Sequence, residues 1–106
     1  MAMILAFALP AFASDWAVRW DYANIRKEPS IKGMKIYQLE KTQYAGITYV
    51  AQKSGWIKVQ FEADVTWKAF NYLRGKGAEI KRVGSEGTLV HVIISGWTKK
   101  DNLRKI

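Results

Sequence analysis

The chain has 106 residues, of which 49% are apolar and 13% aromatic, proportions that exclude a disordered chain and leave room for one compact domain. Seventeen Lys and Arg against nine Asp and Glu give a net charge of +8, which favours anionic partners. The lack of Cys excludes a disulfide framework, a thiolate metal site and a cysteine nucleophile.

The first residues have the pattern of an export signal. An apolar run over residues 4–12 ends in Ala-Phe-Ala at 11–13, which puts small residues at the two positions that a signal peptidase reads. A run of about ten residues is too short to cross ~30 Å of hydrocarbon as a helix, so we expect no retained membrane anchor. The segment before the run lacks the usual Lys or Arg, which leaves a buried first strand as the alternative. We predict that residues 1–13 are a cleaved signal peptide and that the protein is periplasmic or secreted.

The rest of the first half predicts short strands. Partial alternation of apolar and polar residues, together with β-branched and aromatic types, is typical of strands with one wet face. These strands are expected at residues 16–26, 34–40, 46–51 and 56–61. The tripeptide Lys-Ser-Gly at 53–55 has the composition of a tight turn, so the last two strands should form a hairpin.

The second half predicts a helix and another hairpin. Asp64 is expected to cap a short helix over residues 65–74, because its carboxylate can accept from the free amides of a first turn. Strands at residues 79–83 and 88–94 flank a four-residue connection at 84–87 with Gly at both ends.

Three segments, in this order, resemble the bacterial Src homology 3 (SH3b) domain. They are residues 23–30 (Ala-Asn-Ile-Arg-Lys-Glu-Pro-Ser), 54–59 (Ser-Gly-Trp-Ile-Lys-Val) and 95–103, where Ser-Gly-Trp-Thr precedes Leu103. They are similar to the family's opening Leu-Asn-Val-Arg-x-x-Pro-Ser, its Gly-Trp-x-x-Val hairpin, and its closing Gly-Trp-Val with a short helical turn and Leu. The resemblance implies a mainly β fold, a small SH3-like barrel of five strongly bent antiparallel strands.

The sequence departs from the family between the two Gly-Trp pairs. These pairs normally follow each other closely, whereas residues 61–94 intervene here and include the predicted helix and second hairpin. We therefore expect a single domain over residues 14–106 with an insertion at about 61–94. The alternative is a different small α+β domain that begins and ends like this family.

The resemblance also implies a ligand surface, a shallow aromatic groove between the first long loop and the hairpin turn. The family positions that match are Pro29, Trp56 and Trp97, and the aromatic composition adds Tyr22 and Tyr44 as ligand-binding candidates. The alternative for the two Gly-Trp tryptophans is a place in the core of a small barrel.

Two basic clusters accompany these aromatic residues. Either cluster suits a phosphate or carboxylate polymer, or else forms a solvated face that keeps the domain soluble. Their members are Arg74, Lys76, Lys81 and Arg82 in one, and Lys99, Lys100, Arg104 and Lys105 in the other.

The sequence offers no catalytic constellation. His91 is the single histidine, and it stands in an apolar strand pattern without a nearby carboxylate pair, so we expect it on the wet side of a strand. We expect no catalytic residue, no metal and no cofactor. The function expected is a non-catalytic binding module of the cell envelope that contacts cell-wall peptidoglycan, through its peptide or glycan, or an envelope protein. The alternative is a basic small barrel that binds nucleic acid.

The export signal yields a direct prediction. Expressed in a bacterium, the protein should be recovered from the periplasm or medium with Ser14 as its first residue, as read by amino-terminal sequencing. An intact Met1 in the cytoplasmic fraction would contradict the signal peptide and favour the nucleic-acid alternative.

Overall fold

The computed structural model describes residues 16–41 and 46–106, and these form a mainly β domain with one α-helix among them. The mainly β class that the sequence predicts is therefore confirmed. The strands are β1 (Trp16–Val18), β2 (Tyr22–Arg26), β3 (Lys35–Glu40), β4 (Thr48–Lys53), β5 (Trp56–Thr66), β6 (Glu79–Glu86), β7 (Leu89–Lys99) and β8 (Leu103–Lys105). Helix α1 (Trp67–Gly75) follows β5, and a 3₁₀ turn over Lys100–Asn102 precedes β8.

Strand β7 is the one around which the larger sheet is built. Along one edge it pairs with β5 over the full length of both strands. Along the other edge it pairs first with β6, as far as Ser95, and then with β2 at the single pair Arg26↔Trp97. Strand β3 extends the sheet from β2, and β4 extends it from β5, all in antiparallel pairs.

Hydrogen bonding of the described strands defines two sheets and does not close them into one five-stranded barrel. Besides the six-stranded sheet, β1 and β8 form a separate antiparallel pair. Strands β5 and β7 are each eleven residues long and continue as a pair beyond the point where β2 ends its pairing with β7. Strand β6 pairs with this extended part of β7 and so adds a sixth strand to the sheet. The segment expected as an insertion, residues 61–94, comprises the second half of β5, α1, β6 and the first half of β7.

The core lies on one side of the larger sheet. Residues of β5 and β7 alternate between this side and solvent, as the sequence pattern predicts. Helix α1 covers the far end of the same side with Phe70 and Leu73, while Phe61 packs against the ring of Tyr37 with centroids 5.3 Å apart. The inward side chains of the two long strands are Ile57, Val59, Phe61, Val65, Val90, Val92 and Ile94.

Helix α1 begins two residues later than predicted. Strand β5 keeps pairing as far as Thr66↔Leu89, so the first free helical amides come after Thr66. The hydroxyl of Thr66 accepts from the amide of Ala69 at 3.1 Å and caps the helix, a role the sequence analysis gave to Asp64. At the other end, the ammonium of Lys27 donates to the carbonyl of Lys76 at 2.8 Å, and its positive charge interacts favourably with the negative end of the helix dipole.

The two hairpin turns depend on positive φ angles. Ser54 and Gly55 have φ of 46° and 84°, which suits a two-residue hairpin loop and confirms the turn predicted there. The second turn lies at residues 87–88, not at 84–87, because β6 continues to Glu86 after a register shift between Arg82 and Gly84. The predicted hairpin is thus present with a shorter loop.

Gly96 yields a stability prediction. A Cβ at this position would lie 2.5 Å from Cγ2 of Ile25 and 2.9 Å from Cδ1 of Ile36, both in the core. We expect Gly96→Ala to lower the free energy of unfolding by about 1–3 kcal/mol through overpacking, measured by urea denaturation. Gly84→Ala is the matched strand control, since its nearest contact would be an ordinary 3.6 Å to His91. Equal stability of the two variants would contradict the close approach at Gly96.

Candidate functional site

An open groove of about 810 Å³ lies between the edge strand β4 and the segment formed by the 3₁₀ turn and β8. Strand β1 contributes Trp16 to it, and the bend after β1 contributes Arg19. From β4 come Tyr49 and Gln52. The groove is therefore lined by residues from both ends and from the middle of the described chain.

Two aromatic side chains offer ring surface in this groove. Tyr49 is 48% exposed, and it lies just before a register shift in the β4–β5 ladder. Trp16 packs partly against the core and pairs across the β1–β8 ladder with Lys105, whose Nζ lies 5.5 Å from the indole centroid. Partly exposed rings of this kind stack on flat or apolar ligand faces at a low entropic cost.

The groove carries an excess of positive charge. Arg19, Lys100, Arg104 and Lys105 line it, and Asp101 is the one carboxylate among its lining residues. Across the described ranges, the Lys58–Glu79 ion pair and the Asp64–His91 contact both lie elsewhere, on the solvent side of the larger sheet. The four groove cations thus keep their charge available to an anionic ligand.

The 3₁₀ turn that bears Lys100 and Asp101 is fastened to three neighbouring segments. Its first amide donates to the carbonyl of Gly55 at 2.9 Å, in the β4–β5 turn. The indole of Trp20 donates to the carbonyl of Asp101 at 3.1 Å. The side-chain amide of Asn102 donates to the hydroxyl of Thr98, a fully buried side chain, at 2.9 Å. These contacts hold one wall of the groove in place before any ligand binds.

Three residues of the predicted carboxy-terminal basic cluster line the groove, namely Lys100, Arg104 and Lys105. Lys99 points away from it, on the solvent side of β7 opposite Trp56. Trp16, Arg19 and Tyr49, which also line the groove, were not among the predicted ligand-binding residues. For Trp16 and Arg19 the sequence offers only composition as a signal, because aromatic and basic residues are close together there without forming a recognisable motif.

The two Gly-Trp tryptophans lie on a different surface. Trp56 begins β5 and Trp97 lies near the end of β7, both on the solvent side, because the alternate residues of both strands are buried. Trp56 is opposite Lys99, and Trp97 is opposite Lys58. Both indoles are partly exposed, so they belong neither to the buried core nor to the groove.

The remaining aromatic and proline candidates are not brought to the groove. Tyr22 is 48% exposed on β2, opposite Glu40 in the β2–β3 ladder. Pro29 is partly buried in the loop after β2. Tyr44 lies outside the described residues.

The other predicted basic cluster is on the inserted segment, apart from the groove. Arg74 and Lys76 lie at the end of α1, and Lys81 and Arg82 lie on β6. All four are exposed. His91 is on the wet side of β7 as predicted, where its Nδ1 contacts the carboxylate of Asp64.

Comparison of the chain with protein-family models, with curated proteins and with solved structures finds no match. Within the described ranges, no three His, Asp or Glu side chains come close enough together to hold a metal ion. Neither α1 nor the 3₁₀ turn has the length and apolar character that a helix needs to cross a bilayer.

The anchoring of the groove wall yields a second stability prediction. Asn102→Ala should lower the free energy of unfolding by about 1–3 kcal/mol, because it leaves the buried hydroxyl of Thr98 without that donor. Thr98→Val combined with Asn102→Ala should cost less than the sum of the single changes, because both partners are then removed together. Additive losses in urea denaturation would show that the two side chains are not coupled.

Proposed function

We propose that this protein is an exported, non-catalytic binding module of the bacterial cell envelope that holds cell-wall peptide or glycan in the groove. The observation that carries the proposal is the composition of the groove, with four cations and two aromatic rings against one carboxylate. An envelope protein with an acidic, extended segment would present the same chemistry.

The chemistry of the cell wall fits such a groove. Peptide stems carry free carboxylates, which Arg19, Lys100 and Arg104 would pair with, and Arg forms bidentate hydrogen bonds to carboxylates. Sugar rings have apolar faces that stack on aromatic side chains, for which Trp16 and Tyr49 are placed. Because the groove is open rather than enclosed, a long polymer can lie along it without threading.

We further propose that the fold is an elaborated SH3b barrel. In support, the three matched sequence segments fall on β2 and the loop after it, on the β4–β5 turn with the start of β5, and on the end of β7 with the 3₁₀ turn. Leu103, the last matched residue, is buried at 2% exposure. In this proposal the β1–β8 pair, which meets the chain before β4 through the bridge Trp16↔Ile47, is the closing side of the barrel.

Sedimentation with purified peptidoglycan tests the proposed ligand. The double variant Lys100→Gln/Arg104→Gln should lower the binding constant obtained from the pelleted fraction by about 30-fold, since two ion pairs to a charged ligand at roughly 1 kcal/mol each amount to about 2 kcal/mol. Lys32→Gln/Lys35→Gln is the matched control, because it removes the same charge from exposed positions outside the groove. The control should bind like the unaltered protein.

Three outcomes would contradict the proposal. If both double variants lose binding equally, the attraction is due to net charge rather than to the groove. If the unaltered protein stays in the supernatant and cross-links to no envelope protein, the envelope ligand is wrong. If the groove instead retains single-stranded DNA at about 200 mM salt, where non-specific phosphate contacts are weakened, the nucleic-acid alternative replaces it.

A further inference from the structure

The solvent side of α1 is a second surface with its own character. At 100° per residue, Ala69, Phe70 and Leu73 share the inner arc of the helix, and two of them are buried against the sheet. Trp67 and Tyr72 stand at the two margins of the outer arc, about 140° apart. Because the apolar arc is already covered by the sheet, the outer arc is what the helix presents to a partner.

Both marginal aromatic rings are well exposed and each carries a cation. Trp67 is 39% exposed, and the guanidinium of Arg82 from β6 lies 5.9 Å from its ring centroid. Tyr72 is 58% exposed, and the ammonium of Lys76 lies 5.6 Å from its ring centroid. Tyr72 has more than half of its surface open to solvent, whereas Trp67 also packs against the buried ring of Phe70, with centroids 6.1 Å apart.

The charge of this surface has one sign. Helix α1 and the residue that ends it contain Lys68, Arg74 and Lys76 and no Asp or Glu. Arg82 adds a fourth cation beside Trp67. Lys68 on the outer arc, with Lys76 and Arg82 beside it, makes a convex basic surface that is complementary to a broad anionic surface rather than to a single strand in a groove. The guanidinium of Arg74 lies 5.0 Å from the ring centroid of Phe70, on the inner side of the helix.

Trp and Tyr combined with Lys and Arg is the composition that favours a membrane interface. The amphipathic rings settle at the level of the headgroups, and basic residues near an anionic leaflet each add to the attraction. A nucleic acid would also meet the cations. However, the aromatic residues stand at the two margins of a convex arc, and successive bases require neighbouring rings along a groove.

The helix surface and the groove lie at opposite ends of the molecule. Strand β5 runs from Trp56, beside the β4–β5 turn that contacts the groove wall, to Thr66, where α1 begins. Its eleven residues span roughly 33 Å at ~3.3 Å per residue, close to the 36 Å long dimension of the described protein. Contact through α1 therefore leaves the groove open.

We propose that the outer face of α1, with Trp67, Tyr72 and the cations Lys68, Lys76 and Arg82, docks this protein onto an anionic lipid surface. The docking is peripheral, since the apolar arc of the helix stays on the sheet. It is independent of the ligand in the groove, because no residue of this face lines the groove. With both surfaces occupied, the protein would hold a polymer at a distance from the membrane.

Vesicle sedimentation with the full chain tests this proposal. Partitioning should be strong on vesicles of phosphatidylcholine with about 30% phosphatidylglycerol and weak on phosphatidylcholine alone. Lys68→Gln/Lys76→Gln should reduce partitioning by about tenfold, and Lys32→Gln/Lys35→Gln by less than about twofold. Tyr72→Ala should reduce it by about fivefold, whereas Tyr22→Ala, the matched exposed tyrosine on β2, should not.

The controls separate this proposal from the others. Lys100→Gln/Arg104→Gln should leave vesicle binding unchanged while it weakens peptidoglycan binding by about 30-fold, so the two proposals fail independently. If Lys68→Gln/Lys76→Gln and Lys32→Gln/Lys35→Gln lose vesicle binding equally, the binding is due to net charge and the proposed docking face is wrong. Full vesicle binding by both Lys68→Gln/Lys76→Gln and Tyr72→Ala would overturn it as well. So would a dimer of the unaltered protein in sedimentation velocity that Tyr72→Ala dissolves, since the face then binds a second copy.

Discussion

The structure depends on the way one edge of β7 is divided between two partners. Strand β6 pairs with this edge as far as Ser95, and β2 takes it over at Trp97, so Gly96 lies at the changeover. The backbone of β2 and the side chains of Ile25 and Ile36 approach Gly96 closely enough to exclude any Cβ. Because β5 covers the whole opposite edge, this close approach joins the β2–β3 hairpin to the long β5–β7 ladder in one core.

The same arrangement sorts the charge of the protein by surface. Four carboxylates lie on the solvent side of the extended ladder, where Glu79 pairs with Lys58 and Asp64 with His91. The other two are Glu62 on β5 and Glu86 on β6, which lie opposite outward-facing residues of β7. At the two ends of the ladder the groove and α1 carry cations with one carboxylate between them. The net charge of +8 is therefore concentrated at both ends of the molecule rather than spread evenly.

Local patterns predicted much of this fold, and long-range pairing decided the rest. The turn at Ser54 and Gly55, the alternation of β5 and the hairpin of β6 and β7 are visible within short windows of sequence. The start of α1 is not visible in a short window, because the end of β5 depends on how far its pairing with β7 continues. That pairing reaches Thr66, so Thr66 rather than Asp64 caps the helix. The groove was predicted in part for a similar reason. Its basic residues cluster in the sequence, but Trp16 reaches them only by pairing with Lys105 from the other end of the chain.

The groove wall is built from elements too small to be stable alone. Strands β1 and β8 have three residues each, and an isolated pair of strands is marginal in water. Their positions depend on the 3₁₀ turn, whose Asn102 is hydrogen-bonded to Thr98 of β7. Thr98 lies two residues beyond Gly96, so the same short segment of β7 both pairs with β2 and anchors the groove wall. Ordering the wall through β7 before ligand arrives lowers the entropic cost of binding, and a change at Gly96 should weaken the groove together with the core.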